Sequence, residues 1–357
     1  MTGRLYHPLR LTAAARPMVF GGHAIAQHLG RSGLPDWAIG ETWEVSDVDG
    51  AVAVVTSGDH AGTSLRELVH DHPDELMGRG WRGERFPLLA RFIDAAGTLP
   101  VHLHPDDAAA ERLEGAERGR TEAWHVLRAG PGATVLCGTR AGVTATEFRR
   151  ALEAQDFDAV LRRLPVSAGQ TVYVPGGTPH SFGPDTLVYE ISQTSDLQQH
   201  AMHWQPADGS PIDDERWQAA LDALVDAWDP AARPAVRSGL DVVVDDGVDR
   251  RFLCAGPFFA LERWTAGTAA PLRHAFDTAV VLSNVGPPVT VAAGGEPAPL
   301  GRGETLLLPA ACGDLEVEGP ADVLLGYLPD LDADVSAPLL AAGYAPALIA
   351  GLGDVPV

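Results

Sequence analysis

The sequence predicts a mainly β fold with helical insertions, divided into two β domains. From residue 240 onward, short apolar runs alternate with Gly and Pro turns, a spacing typical of antiparallel sheets. A stretch rich in Pro and Arg precedes this region and is typical of a linker. We therefore expect a first domain at residues 1–235 and a second at 236–357. Helical periodicity is strongest in three stretches of the first domain, at about 60–80, 140–165 and 212–228.

Three other stretches of the first domain are predicted to be strands. IGETWEVSD alternates polar and apolar side chains, AVAVVTSG at 51–58 is largely apolar, and FPLLARFIDAAG at 86–97 has the composition of a buried strand. The helices have recognisable starts. Thr63 or Ser64 is a possible N-cap for the first, and the acidic start of the third suits the positive end of a helix dipole.

Composition excludes several classes of function. The formal net charge is −22, which argues against a nucleic-acid or anionic-membrane surface. All 26 residues counted as Lys or Arg are Arg, so Schiff-base chemistry and lysine acid/base chemistry are impossible. No segment reaches the roughly 18 uninterrupted apolar residues of a membrane helix. The sequence implies no protein partner.

The cysteines and the N-terminus indicate the compartment. Cys137, Cys254 and Cys312 are far apart and lie in apolar stretches, which predicts buried thiols rather than a disulfide framework. The segment MTGRLYHPLRLTAAARP has no apolar signal core. We therefore expect a cytoplasmic protein.

A histidine-containing region of the first domain carries the chemistry. In VHLH, His102 and His104 point to the same face, because side chains alternate along a strand. GQTVYVPGGTPH fits G-x5-P-x-G-x2-H, the second metal motif of the cupin barrel, and ends at His180. The first cupin motif places a Glu soon after HxH, and Glu122 is the best match, after a polar, helix-like insert. We predict that His102, His104, Glu122 and His180 bind one divalent metal.

The alternative is that these side chains are structural. A lone histidine in a strand is more often a hydrogen-bonded core or surface residue than a metal ligand. The occurrence of HxH, a strand Glu and the Gly/Pro/His turn in this order favours a metal. Three imidazoles and one carboxylate suit zinc, iron, manganese, nickel or cobalt, and the ligand types do not choose among them.

The second domain repeats part of this pattern. Gly303 and Pro309 have the spacing of the first half of the motif, but Ala311 and Asp314 stand where the second Gly and the His would be. HxH is missing, and only His274 lies nearby. This predicts two cupin (jelly-roll) barrels, the first metal-binding and the second without metal. Chance recurrence of G-x5-P in a β-rich sequence is the alternative.

Several segments together resemble the type I mannose-6-phosphate isomerases. They are IGETWEVSD, FPLLARFIDA, HLHPDD, GRTEAWHVL, VPGGTPHSFGPDTLVYEISQTSD, FLCAGPFFALERW and GETLLLPA. The resemblance implies a two-cupin zinc enzyme of carbohydrate metabolism that interconverts mannose 6-phosphate and fructose 6-phosphate through a cis-enediol.

The chain departs from this family at five site positions. His102 replaces the usual Gln of Gln-x-His, Arg120 and Arg91 replace lysines, Pro100 replaces a serine, and His200 replaces an active-site arginine. By resemblance, Arg91 is a substrate-binding residue, and Arg120 and His200 are the catalytic candidates.

The sequence leaves the base and the substrate open. Arg120 cannot deprotonate, so we assign it to stabilising intermediate charge. The base is His200, a metal-bound hydroxide, or a carboxylate that the sequence does not place. The alternatives to mannose 6-phosphate turnover are isomerisation of an unphosphorylated aldose such as mannose or lyxose, a non-catalytic sugar-binding cupin, and an iron dioxygenase.

Overall fold

The protein is built from two pairs of antiparallel β-sheets, so the predicted mainly β class is confirmed. The computed structural model describes residues 5–116, 118–245, 247–267, 271–295 and 297–356.

The first sheet pair is formed by twelve strands. One sheet has the order β1-β2-β3-β10-β5-β8-β12 and the other β11-β4-β9-β6-β7. The strands are β1 (Ala14–Arg16), β2 (Glu41–Val45), β3 (Leu88–Ala95), β4 (His102–Leu103), β5 (Glu122–Ala129), β6 (Thr134–Thr139), β7 (Leu161–Pro165), β8 (Thr171–Val174), β9 (His180–Phe182), β10 (Thr186–Gln193), β11 (Gln199–His200) and β12 (Val236–Arg237).

The second sheet pair follows in the chain. Its sheets have the orders β13-β14-β15-β22-β17-β20 and β16-β21-β18-β19. The strands are β13 (Leu240–Asp245), β14 (Val248–Gly256), β15 (Phe259–Ala266), β16 (Leu272–Ala275), β17 (Val280–Asn284), β18 (Val289–Ala293), β19 (Ala298–Leu300), β20 (Thr305–Leu308), β21 (Asp314–Glu318) and β22 (Ala321–Tyr327).

The helices lie around the sheets, and two of them begin with a capping box. Ser64 and Glu67 cap the second helix reciprocally, and Thr144 and Glu147 cap the fifth. None of the described helices is long and apolar enough to cross a membrane. The helices are α1 (Ala24–Leu29), α2 (Leu65–Asp71), α3 (Pro73–Met77), α4 (Asp107–Glu114), α5 (Ala145–Glu153), α6 (Phe157–Val160), α7 (Asp214–Ala227), α8 (Ala337–Ala341) and α9 (Pro346–Ala350).

The strand β3 is buried along its whole length because both of its faces are covered. Ile93 and Ala95 pack inside the first sheet pair, whereas Phe92 packs in a core that includes residues of the second sheet pair. The neighbouring β10 approaches β22 so closely that a Cβ at Gly326 would lie 2.3 Å from Ile191 Cδ1. This arrangement explains the apolar 86–97 segment and holds the two halves of the chain together.

Two predicted elements differ from the structure. Residues 51–58 form no strand: Val54 and Val55 make only single bridges, to Ser64 and Leu11. Residues Leu161–Pro165 were predicted to be helical but form β7, because β6 offers an edge whose backbone groups pair with them. The hydrophobic periodicity of a segment contains no information on whether a neighbouring strand has a free edge for pairing.

Candidate metal centre and active-site cavity

Strand pairing brings the four predicted metal ligands together. His102 on β4 lies opposite His180 on β9, and the two Nε2 atoms are 2.9 Å apart. Glu122 begins β5 in the other sheet of the pair. Its carboxylate oxygens lie 3.2 Å from His180 Nε2 and 3.3 Å from His104 Nε2. All four side chains are buried.

The orientation of the three imidazoles is set by backbone carbonyls. Each Nδ1–H donates a hydrogen bond of 2.7–2.8 Å, which leaves each Nε2 lone pair facing the centre of the group. The acceptors are the carbonyl oxygens of Pro100 for His102, Leu197 for His104 and Thr178 for His180.

This arrangement fits a bound cation. The facing Nε2 atoms of His102 and His180 are both acceptors in these tautomers, so they cannot share a hydrogen bond with each other. His104 Nε2 is buried without a hydrogen-bond partner. The ligand atoms of these three histidines all lie within 4.8 Å of one another. A divalent ion would satisfy these lone pairs, and three imidazoles with one carboxylate are a suitable donor set.

The protonation states agree with this reading. Burial lowers the pKa of His102 and His180, and burial together with the Arg120 guanidinium lowers that of His104 to about 3. Burial opposes ionisation of Glu122, but the Arg120 guanidinium, which donates to the carboxylate, holds its pKa below the usual range. The site therefore presents neutral imidazoles and an ionised carboxylate.

Two arginines and three carboxylates form a buried network beside the metal ligands. Arg120 Nε donates to Glu122 Oε2 at 3.0 Å, and its Nη2 donates to Glu190. Arg91 Nε donates to Glu190 Oε1 at 2.7 Å, and its Nη1 donates to Glu41 Oε2 at 2.9 Å. Three carboxylates against two guanidinium groups leave a formal excess of one negative charge, which favours a cation at the centre.

A cavity of about 590 Å³, including its open mouth, reaches this group. His102 and Glu122 lie in its wall, together with Arg91, and His200 and Asp196 line it as well. Its lining mixes these polar groups with apolar side chains such as Phe20 and Leu99, which is typical of a small-molecule site.

Comparison with known proteins identifies the family. No family model matches the chain. A mannose-6-phosphate isomerase of Streptococcus mutans is 30% identical over 327 residues, which cover 90% of this chain and 98% of that protein. The chain belongs to the mannose-6-phosphate isomerase family. This match confirms the resemblance drawn from the sequence, and with it the isomerase class.

Further relatives agree over the same span. A mannose-6-phosphate isomerase of Bacillus subtilis is 27% identical over 322 residues, covering 90% of this chain and 99% of that protein. The crystal structure of the mannose 6-phosphate isomerase from Bacillus subtilis matches with a TM-score of 0.80 at 26% identity, covering 90% of this chain and 99% of that one.

The structure places the other predicted site residues at different depths. His200 lies on β11 opposite His102, and their ring centroids are 5.7 Å apart. Its Nδ1 is buried without a hydrogen-bond partner, and burial and the neighbouring His180 lower its pKa to about 4. Arg91 lines the cavity, whereas Arg120 is 1% exposed and lies behind Glu122.

Sequence reasoning missed several residues of the site. Glu190 and Glu41 were not singled out, although both lie in the strand segments that carried the family resemblance. Asp196, which the sequence analysis did not single out, contributes a further carboxylate to the lining of the cavity. Arg16 also lines the cavity, but nothing in the pattern of its surroundings indicated a site.

The second half contains a related but different cluster. Glu262 is buried on β15 and accepts hydrogen bonds from Arg250 Nη2 at 2.7 Å, from Trp264 Nε1 at 2.8 Å and from the Tyr327 hydroxyl. The Arg250 guanidinium therefore lies beside this carboxylate as Arg120 lies beside Glu122, but Glu122 also faces the imidazoles of His104 and His180. His274 packs against the Trp264 ring, with centroids 5.3 Å apart.

Proposed function

We propose that the protein is a metal-dependent aldose–ketose isomerase that interconverts mannose 6-phosphate and fructose 6-phosphate through a cis-enediol. The observation that carries the proposal is the group of buried, neutral imidazoles and one ionised carboxylate that reaches an open cavity through His102 and Glu122. We infer the substrate from the relatives, which are named mannose-6-phosphate isomerases.

We assign His102, His104, Glu122 and His180 as the ligands of one divalent ion, with zinc as the first candidate by family resemblance. When bound, the ion supplies Lewis-acid polarisation of substrate oxygens. The three Nδ1 hydrogen bonds to backbone carbonyls hold the rings in position for this role.

The reaction moves one proton from C2 to C1 of the sugar and one hydroxyl proton from O2 to O1. We assign His200 as the base that removes the C2 proton, because it lines the cavity with an unpartnered Nδ1. Its lowered pKa keeps it unprotonated at neutral pH. Asp196 is the competing carboxylate in the same wall.

The two predicted arginines have different parts in this proposal. Arg120 is a positioning residue, because its guanidinium orients Glu122 and Glu190 from behind. Arg91 uses three of its N–H groups on Glu190 and Glu41. A guanidinium has five N–H groups, so Arg91 keeps two for a substrate in the cavity.

We further propose that each sheet pair is a cupin barrel, with a first, catalytic domain at 1–235 and a metal-free domain at 236–357; β12 (Val236–Arg237), just past this boundary, still pairs with β8 of the first sheet pair. The repeated pairing of a large and a small antiparallel sheet supports this division. A cytoplasmic location is proposed because Cys137, Cys254 and Cys312 are buried free thiols.

A coupled assay for fructose 6-phosphate formation from mannose 6-phosphate tests the function. Metal-loaded wild-type protein should turn over, and a His104→Ala variant should not. Oxygen consumption without ketose formation would favour the dioxygenase alternative, and turnover of mannose or lyxose alone would favour the unphosphorylated substrate. Sugar binding without any turnover would leave the non-catalytic alternative.

A further inference from the structure

We propose that Arg16 is the residue that binds the substrate phosphate, at the end of the cavity away from the metal ligands. The inference rests on the proposed function, because it names the specificity-determining residue of that site. It concerns a side chain that neither the motifs nor the composition indicated.

Arg16 is held in place at the cavity wall by an aromatic platform. It ends the edge strand β1, where its Cα lies opposite that of Glu41 on β2, and it lines the cavity. Its Cζ lies 3.7 Å from the centroid of the Trp43 ring. Trp43 is itself fixed, because its Nε1 donates to Glu41 Oε2 at 2.7 Å. The guanidinium is therefore oriented before any ligand arrives.

Stacking leaves the donors of Arg16 available. With Cζ 3.7 Å from the ring centroid, the guanidinium contacts the indole face, and this contact does not engage its N–H groups with a hydrogen-bond acceptor. Two parallel N–H donors of this kind match two phosphate oxygens. Among the described residues, no carboxylate oxygen lies within 4.0 Å of the Arg16 guanidinium nitrogens, the distance needed for an ion pair.

The charges around the cavity single out this residue. The arginines that line it are Arg16 and Arg91, and the charge of Arg91 is compensated by Glu41 and Glu190. The wall also contains Asp196, and the whole chain has a formal net charge of −22. A phosphate dianion entering this field needs an uncompensated cation, which Arg16 supplies.

The position suits a hexose phosphate. Trp43, under the guanidinium, lies on β2, and Glu122 lies on β5, three strands away in the order β2-β3-β10-β5. Three spacings of about 4.8 Å make roughly 14 Å along the sheet. That span can hold a sugar whose C1 and C2 are near the metal ligands and whose phosphate is at the opposite end.

The alternative is that Arg16 only covers the edge of the sheet. Arg16→Ala and Arg16→Lys variants of the metal-loaded protein distinguish the two roles. For Arg16→Ala we expect the KM for mannose 6-phosphate to rise about 10- to 100-fold, as for the loss of a charge-assisted hydrogen bond, with kcat changed less than about threefold. Arg16→Lys should recover part of this loss.

Arg128→Ala is the matched control, because that arginine pairs with Asp185 at the surface and carries the same charge.

Calorimetric titration with fructose 6-phosphate and with fructose makes the test independent of turnover. We expect Arg16→Ala to weaken binding of the phosphate about 10- to 100-fold and to leave fructose binding unchanged. An unchanged phosphate affinity, equal losses for both sugars, or no phosphate preference in the wild type would overturn the proposal. Failure of the proposed function would give a different result: binding of the phosphate would depend on Arg16, but no isomerisation would be observed.

Discussion

Trp124 Nε1 donates a hydrogen bond of 2.8 Å to Glu122 Oε1, two residues earlier on the same strand. The same relationship recurs in the second half, where Trp264 Nε1 lies 2.8 Å from Glu262 Oε2. Both carboxylates also accept a hydrogen bond from a guanidinium, that of Arg120 or Arg250, but Glu122 additionally faces the imidazoles of His104 and His180. We infer that this difference decides which carboxylate can take a metal.

The Trp124→Phe variant should bind metal about 10- to 100-fold more weakly. Phenylalanine keeps most of the ring but removes the donor that orients Glu122, and loss of such supporting hydrogen bonds typically costs this much affinity. Competition with a calibrated chelator measures it. Trp264→Phe is the matched control and should keep wild-type metal affinity. Equal metal affinities in the two variants would show that the indole donor has no role at the metal site.

Replacing Arg250 by Ala should destabilise the protein without changing its metal content. The change leaves the buried Glu262 carboxylate without its cation, a loss of about 3–5 kcal/mol in the free energy of unfolding. Arg251→Ala, which breaks the exposed pair with Asp241, should cost about 1 kcal/mol or less. Denaturant unfolding and elemental analysis measure both quantities. A second bound metal in wild-type protein would contradict the expectation of a metal-free second half.

His200 and Asp196 can be separated as bases by their variants. If His200 removes the C2 proton, His200→Gln should lower kcat about 10²- to 10⁴-fold, with the KM little changed. Asp196→Asn should then have a much smaller effect on kcat. The reverse order of the two effects would transfer the role of base to Asp196. Circular dichroism and metal content serve as controls, because His200 lies near His102.

His125 should make the protein less stable in mild acid. It is buried on β5, with Nδ1 3.0 Å from Thr171 Oγ1 and Nε2 3.2 Å from Arg263 Nη1. Burial, and then the Arg263 and Arg251 charges, lower its pKa to about 3. The unfolded chain titrates near 6.5, so between these values the unfolded state binds the extra proton. Stability is therefore lost as the pH falls through this window.

The expected contribution of His125 is up to about 1.4 kcal/mol of unfolding free energy per pH unit. A His125→Gln variant should show a slope of unfolding free energy against pH that is shallower by about this amount between pH 4 and 6. Urea unfolding at several pH values measures the slope. Identical slopes for the two proteins would show that His125 does not titrate as described.

The positions of the candidate metal ligands were more predictable than their surroundings. His102 and His104 could be placed on one face from strand alternation, and the Gly and Pro spacing around residue 175 located His180. Glu122 came from the motif order alone. The structure brings these four side chains together, and each placement depended on a few neighbouring residues, as did the cap at Ser64.

The cavity wall could not be predicted in the same way. Glu41, Arg91 and Glu190 meet because β2, β3 and β10 are neighbours in one sheet, although Arg91 and Glu190 are 99 residues apart in the chain. Arg16 reaches the cavity only because β1 pairs with β2. Strand order and register determine such contacts, and local periodicity contains little information on either.

The central claim is that three histidines and Glu122 hold one divalent ion that the isomerase requires. The most direct test is a titration of chelator-treated protein with a divalent metal, following fructose 6-phosphate formation from mannose 6-phosphate. The account predicts negligible activity without metal, a linear rise, and a plateau at one equivalent per chain. Full activity in metal-free protein, or a plateau at two equivalents, would contradict it.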